Sequence, residues 1–394
     1  MRVAIVGLGT AGAASALFLA RAGHAVTLFE RVASPGPAGA GIMMQPSGLL
    51  VLERLGCAAP ILARGSRVDA LVAHTTSGRR VLDLRYDDLD SDLFGVGLHR
   101  GVLFETLFDA VLASGVALRL GVEVTGLRDR CVTDARGGEH GPFDLVIVCD
   151  GARSRVRDAL FGLTKSVRPY AWGALWFIGE SRRASRELVQ FLDGTGRMVG
   201  VLPTGHGIAS LFFSVAAARR DPVIAEGLGA WKKETLRVAP AAQELVDQIK
   251  TFDQLTFASY YDVTMPRWHA FVRGSHVVVL GDAAHATSPQ LGQGCNLALC
   301  DAAALADALV PARPLADALA DYTRARRDHL AFYQLATRAL TPLFQSDLEP
   351  LALARDLLTP LATRLPFVRR EMIRAMSGTK TGWLWGARET RMPR

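Results

Sequence analysis

The chain has 394 residues, 49% hydrophobic and 21% charged, with a formal net charge of +7, which is enough apolar material for one large core or two coupled domains. The positive charge comes mainly from arginines scattered along the sequence, with no basic block interleaved with aromatics, and this argues against a nucleic-acid partner. Cys57, Cys131, Cys149, Cys295 and Cys300 are odd in number and form no CxxC pair, so they read as small buried hydrophobes in a reducing cytoplasm, with neither a disulfide framework nor a metal site.

Residues 3–20 have the apolar, small-residue character of a leader or a membrane span, but their glycines argue otherwise. Val3-Ala4-Ile5-Val6 is a short buried strand, and Gly7-Leu8-Gly9-Thr10-Ala11-Gly12 is a GxGxxG turn opening a helix to about Arg21. Gly7 permits the tight turn, Gly9 lets the backbone approach a pyrophosphate, and Gly12 lets helix and strand pack closely. A second strand over 25–29 ends at Glu30, where the fingerprint expects a ribose-binding acid. Arg31 follows Glu30 and no basic residue replaces the acid, so FAD or NAD fits better than NADP, and the motif does not separate the first two.

Gly39-Ala40-Gly41-Ile42 follows a Pro/Gly loop, and is either a plain connection or a glycine-lined loop against a flat ring. The spacing predicts a helix over 46–56 with a glycine stop, and a hairpin over 71–86 turning at 75–78 that belongs to a second sheet. Residues 100–114 return to helical spacing and 116–127 supply one or two strands. The strand 144–149 runs into Asp150-Gly151, placing a carboxylate at the C-terminal edge of a parallel sheet, where ligands of such sheets bind. Arg153, Arg155 and Arg157 read singly as a solvated basic turn.

Strand character resumes over 172–178, 188–192, 198–202 and 208–215, separated by Gly-rich turns, and predicts an antiparallel sheet. Gln190, Met198, Gly200 and Leu202 fall on one side of their strands and are candidates for a pocket face, and Arg197 for holding a substrate carboxylate. His206 and Tyr170 are acid/base types, although a turn histidine is ordinarily solvated. Residues 216–249 read as amphipathic helix, and 252–272 carry the chain back across the sheet.

The stretch 277–301 is the densest in signals: an apolar run, Gly281-Asp282, Pro289, Gly292-Gln293-Gly294, and then an Ala/Leu-rich helix. Its helix start exposes unpaired N–H groups and a positive dipole end, which favour an electron-rich ligand edge against 292–296. A carboxylate at Asp282 suits the hydroxyls of a sugar-like chain, and the combination suits a flavin nucleotide. His285 reads as packing or bonding the turn. Residues 302–344 are helical, 351–376 helical with a break at Pro366, and 378–394 loosely ordered. The tail is expected to pack as a helix on the nucleotide-binding domain, with a partner or an acidic membrane surface as the alternative.

GxGxxG ending at Glu30, Arg100-x-x-Leu103-x-x-x-Leu107, Asp150-Gly151-x-x-Ser154-x-x-Arg157, and Gly281-Asp282-Ala283-Ala284-His285 with Pro289 and Gly292-Gln293-Gly294-x-Asn296 occur in one order. Together they resemble the single-component FAD-dependent aromatic hydroxylases, the para-hydroxybenzoate hydroxylase-like flavoprotein monooxygenases, over residues 1 to about 345. Tyr322 and Arg326 match the family's long terminal helix. The resemblance implies an α/β fold: a Rossmann-type FAD-binding domain (1–70, 96–165, 270–345) with an inserted antiparallel-sheet substrate domain (71–95, 166–269) and C-terminal helices (346–394).

It also implies FAD contacts at Gly7, Gly9, Gly12, Glu30, Arg31, Gly41, Arg100, Val124, Asp150, Asp282, Pro289, Gly292, Gly294, Cys295 and Asn296. The glycines and Glu30 would hold the ADP half, Arg100 and Asp282 the phosphates and ribityl chain, and 289–296 the ring. Asp150, Ser154 and Arg157 would also lie near the docking NADH or NADPH. The implied reaction uses O2 and a C4a-hydroperoxyflavin to hydroxylate a phenol, an aryl acid, or a polycyclic or indolic compound, in the cytoplasm and without a transmembrane segment. The alternative is another flavin reaction on this fold, such as epoxidation, reduction or halogenation in natural-product metabolism. Trp172 and Trp176 do not form the Trp-x-Trp-x-Ile-Pro box of flavin halogenases. Catalytic base, oligomeric state (monomer or dimer) and choice of nicotinamide stay open at this point.

Overall fold

The computed structural model describes residues 1–382 except Ala38, Phe161, Gly162, Thr164 and Ala184. The strand Arg2–Val6 lies at the centre of a six-stranded sheet, between Leu145–Val148 and Ala25–Glu30, both parallel to it. Ala117–Leu120 extends one side, Ser275–Val279 the other, and His269–Val272 closes that side as an antiparallel edge. The central strands are buried on both faces, which is why they read as unbroken apolar runs. Helix Thr10–Arg21 packs against helix Gly294–Ala308, so both helices flanked by the glycine turns share one layer.

A second sheet has seven strands in the order Thr256–Thr264, Ser166–Glu180, Ile208–Ala216, Arg197–Gly205, Glu187–Asp193, Ala70–Thr75, Arg80–Arg85. It is mixed, and not antiparallel throughout as the turn spacing predicts, because Ala70–Thr75 runs parallel to Glu187–Asp193. No tight turn joins these two strands, since the chain passes through the first sheet between them, so their relative direction is free of hairpin constraint. One face of this sheet, with Leu175, Phe177, Val199, Leu211 and Phe213, packs on Trp231, Val238, Leu245 and Val246. The covering segment is broken into Arg220–Ala225, Leu228–Val238 and Gln243–Gln248, where a single amphipathic stretch is expected. Gly227 at φ 93° and Pro240 interrupt it.

A small sheet of Gly41–Met44, Gly95–His99 and Ser66–Val68 joins the two large ones. Its contact with the seven-stranded sheet is so close that a Cβ on Gly97 would lie 1.9 Å from the Pro203 carbonyl oxygen.

After the helix Leu315–Phe344, which packs on Gly294–Ala308, the tail helices Glu349–Ala362 and Pro366–Met376 differ from expectation in what they cover. Ile373 and Met376 cluster with Leu84, Tyr86 and Leu93, and Arg369 pairs with Asp88, so the last helix shields the edge strand of the seven-stranded sheet. Only its end reaches the nucleotide-binding layer, where the Gln293 amide donates to the Met376 carbonyl at 2.7 Å and the Ser47 N–H to Ser377 O at 3.2 Å. Ser377, Thr379 and Lys380 are buried, so 378–380 are packed and not loose; 383–394 lie outside the described residues.

Candidate cofactor and substrate site

The central strand delivers Gly7 at φ +102°, and a Cβ there would lie 2.6 Å from the Cys149 carbonyl oxygen. A Cβ on Gly12 would lie 1.9 Å from Gly7 O, so turn, helix and neighbouring strand meet at distances that only glycine allows. Gly9 is different: a Cβ there meets nothing within 4 Å, leaving its backbone open to a ligand. Glu30 turns its carboxylate onto this turn, accepting from Leu8 N and Val32 N at 2.9 Å each. Arg31 is exposed beside it. Val124 is buried at the start of Val124–Arg128, two residues beyond Val122, whose N–H bonds Glu30 O at 2.9 Å.

Asp150 follows the next parallel strand, and its Oδ1 has no protein partner. Burial pushes its carboxyl up, beyond what Ser154 and Arg157 pull down. Ser154 caps the helix Arg155–Ala159 by accepting from Arg157 N at 3.0 Å. Arg153 and Arg155 are exposed, but Arg157 is fully buried and donates to Ala152 O and to Ala283 O at 2.8 Å. It therefore ties the Asp-Gly turn to the Gly281–His285 turn, which corrects its reading as a solvated residue.

Thr10, Arg100, Asp282 and Cys295 converge. Burial pushes the Cys295 thiol up, while Arg100 and a bond with Thr10 act in the opposite direction and Asp282 in the same one. A Cβ on Gly294 would be 3.9 Å from Asp282 Oδ1, and one on Gly39 3.0 Å from Arg100 Cδ. Asp282, Pro289, Gly294 and Arg100 are exposed, Asp282 and Gly294 at the starts of otherwise largely buried helices. Asn296 is fully buried and acts as a staple: its oxygen accepts from Gln45 N at 2.9 Å, and its amide donates to Met43 O and Gly292 O at 3.1 Å each. Gly41 N donates to Ser210 Oγ at 3.2 Å, so the small sheet connects this loop to the seven-stranded one.

Open backbone at Gly9, an acid on the same turn, a second acid at Asp282, an unpartnered oxygen at Asp150 and a helix start at Gly294 are the donor and acceptor set that an adenine dinucleotide of a flavin requires.

Behind the Gly281 turn lies a buried polar network in which His285 bonds the turn region, as its sequence reading allows, and in which Asp301, given no role by the sequence, is the centre. Asp301 accepts from Gly281 N at 2.9 Å, from His285 Nε2 at 2.5 Å and from Arg326 Nε at 2.8 Å. Burial pushes the Asp301 carboxyl up, but His285, Arg326 and the Gly281 N–H outweigh it and hold it well below the usual carboxylate range. Arg326 also bonds Leu297 O and His329, and His329 reaches Gly378 O at 3.2 Å. The available signal was an acid inside an Ala/Leu-rich helix, which must find a partner if buried.

Gln190, Gly200, Phe212 and Trp176 stand in one register row of the seven-stranded sheet, on the face opposite its helices. Leu202 on that face clusters with Met43, and a Cβ on Gly292 would be 3.8 Å from Met43 Cβ, so the face looks toward the 289–294 loop. Arg197 is on the other side, paired with Glu234 at 2.8 Å, which corrects the expectation that it holds a substrate carboxylate. Tyr170 donates to Asp262, itself gripped by Arg338 at 2.6 and 2.7 Å, and His206 Nε2 lies 2.8 Å from Ala63 O.

This arrangement defines a dinucleotide-binding flavoprotein fold with a second sheet facing the 289–294 loop. The chain belongs to the FAD-dependent monooxygenases of the aromatic hydroxylase type: residues 1–331 match the FAD binding domain family, and FAD is its cofactor. It is 29% identical over 401 residues to 3-amino-4-hydroxybenzoate 2-monooxygenase of Streptomyces cremeus, covering 98% of this chain and 95% of that one. It is 30% identical to kynurenine 3-monooxygenase of Salinispora arenicola, covering 83% and 76%. Klebsiella pneumoniae HpxO complexed with FAD and uric acid has a similar fold, with TM-score 0.79, 22% identity, and 95% and 97% of the two chains covered. No helix among the described residues is long and apolar enough to cross a membrane.

Proposed function

We propose that this protein hydroxylates an aromatic small molecule in the cytoplasm, using NADH or NADPH and O2. The observation that supports this best is the juxtaposition of the open Gly9, Asp282 and Gly294 positions with a sheet row, Trp176, Phe212, Gly200 and Gln190, that carries no charge, in a fold of the hydroxylase family. In this reading Gly7, Gly9, Gly12, Glu30, Arg31 and Val124 hold the adenosine half of FAD. Arg100, Asp150, Asp282 and Cys295 flank its phosphates and ribityl chain, and Gly41, Pro289, Gly292, Gly294 and Asn296 its ring. When bound and reduced, FAD activates O2 for transfer of one oxygen atom to an electron-rich ring carbon.

The chain's own part is positional and electrostatic. The N-terminus of Gly294–Ala308 favours negative charge at the ring by about 1–2 kcal/mol. For a two-electron couple that is roughly 20–40 mV, a help to reduction but too little to decide the oxygen chemistry. Water exclusion must supply the rest, and the apolar face with Met43, Leu202 and Phe212 is suited to it. The domain division that follows is a cofactor unit of 1–70, 96–165 and 270–345 and a substrate unit of 71–95 and 166–269.

The experiment is to follow NADH and NADPH oxidation, oxygen uptake and peroxide together on the FAD-loaded protein, across phenols, aryl acids, indoles and polycyclic aromatics. The expected result is one compound class that accelerates nicotinamide oxidation and consumes oxygen without equivalent peroxide. Peroxide in equal amount with every compound would remove the hydroxylase reading.

A further inference from the structure

Resting on the monooxygenase reading above, the seven-stranded sheet carries information about the substrate. Ala73, Gln190, Gly200, Phe212 and Trp176 lie side by side in one register row on the face toward Met43. A Cβ on Gly200 would fall 2.1 Å from Phe212 Cζ, so the tip of the Phe212 ring occupies the space above Gly200. Trp176 continues that surface, its ring 5.1 Å from Phe212 at 41°. The row thus forms an aromatic floor of Phe212 and Trp176, with the small Ala73 and the half-buried Gln190 beside it.

Polar groups on this floor are few. The Trp176 N–H is already given to Tyr260 Oη at 3.1 Å. Gln190, half-buried and flanked by Ala73 and Gly200, has no hydrogen-bond partner among the described residues. A free carboxamide presents one donor group and one acceptor side by side. Arg197 is paired with Glu234, Arg85 with Glu187, and Arg338, on the helix Leu315–Phe344, with Asp262, and the row itself carries no lysine or arginine. A carboxylate brought onto the floor would shed water and find no cation within the row to replace it.

We propose that the substrate is a neutral fused-ring heteroaromatic whose edge carries an adjacent donor and acceptor, seated on Phe212 and Trp176 with that edge on the Gln190 carboxamide, and that aryl carboxylates are rejected. Gln190 is then the specificity-determining residue.

The test uses FAD-loaded protein and reads dissociation constants from perturbation of the flavin visible spectrum, with 2-quinolone, 2-naphthoate, 3-hydroxybenzoate and naphthalene as probes. 2-Quinolone is expected to bind at least about 10-fold more tightly than 2-naphthoate. Gln190→Leu is expected to weaken 2-quinolone about 10-fold and leave naphthalene unchanged, with Gln190→Asn intermediate. Naphthoate or hydroxybenzoate binding as tightly as 2-quinolone overturns the proposal, as does a Gln190→Leu variant that loads FAD and keeps full 2-quinolone affinity, or wild-type protein that binds none of the four. The wild-type ranking answers the question even if the leucine variant does not fold. Because binding is read without turnover, failure of the hydroxylase reading would appear separately, as loss of substrate-coupled nicotinamide oxidation.

Discussion

Replacing Asp301 by alanine is expected to destabilise the protein by about 3–5 kcal/mol, read as a fall in the urea midpoint. Asp301 is fully buried and meets three donors: Gly281 N, His285 Nε2 and Arg326 Nε. Removing it strands the Arg326 guanidinium, which is fully buried too, and an uncompensated interior charge costs more than the lost bonds themselves. Asp301→Asn keeps the size and an acceptor for Gly281 but gives up the charge, so it should fall between wild type and alanine.

The same carboxylate makes a pH signature. Its folded-state value is held well below the ordinary one by His285 and Arg326 despite burial. The stability it supplies is therefore complete above the unfolded-chain value near about 4, and is lost as pH falls toward the folded-state value. The gap between wild type and Asp301→Asn should shrink between about pH 5 and pH 3. A gap that stays constant over that range would mean the charge is not what Asp301 contributes.

That network also shows why part of the site was legible in the residues and part was not. The Gly7 to Gly12 turn and the Glu30 acid are local: they belong to one βαβ unit, whose packing sets Gly7 and Gly12 against backbone and brings the Glu30 carboxylate onto Leu8 N beside the turn. Asp150 is legible for the same reason, lying at the end of an apolar strand. Arg157 is not, because Arg153, Arg155 and Arg157 have the same local chemistry, and only the carbonyl of Ala283, far along the chain, separates the buried one from its exposed neighbours. Asp301 and Arg326 belong to different helices and meet only after these pack. The parallel pairing of Ala70–Thr75 with Glu187–Asp193 is set by tertiary packing too, and strand alternation carries no record of direction. Alternation did group Gln190, Met198, Gly200 and Leu202; which side faced the cleft became definite only when Leu202 met Met43 and Val199 met the covering helices.

Gly9 and Gly12 belong to one motif, yet their valine variants are expected to fail in opposite ways. Gly9 has φ −77° and ψ −175°, an extended conformation open to any residue, and a Cβ there meets nothing within 4 Å. Gly9→Val should leave the stability of the FAD-free protein within about 0.5 kcal/mol of wild type. If the pyrophosphate lies against this backbone, the same side chain should raise the FAD dissociation constant at least about 100-fold. At Gly12 a Cβ would be 1.9 Å from Gly7 O and 3.0 Å from Cys149 Sγ, a collision with backbone that cannot move without opening the turn. Gly12→Val should therefore destabilise the FAD-free protein by about 1–3 kcal/mol or more, and weaken FAD as a consequence of the displaced helix. Thermal unfolding of both stripped variants, paired with titration of FAD by quenching of its fluorescence, separates the two cases. A Gly9→Val protein that is stable and binds FAD as wild type does would place the pyrophosphate elsewhere, and the assignment of the adenosine half to this turn would have to be given up. Loss of binding with stability intact is the result that a structural role for Gly9 could not produce, because the free chain has room for the side chain and only a ligand in that space does not.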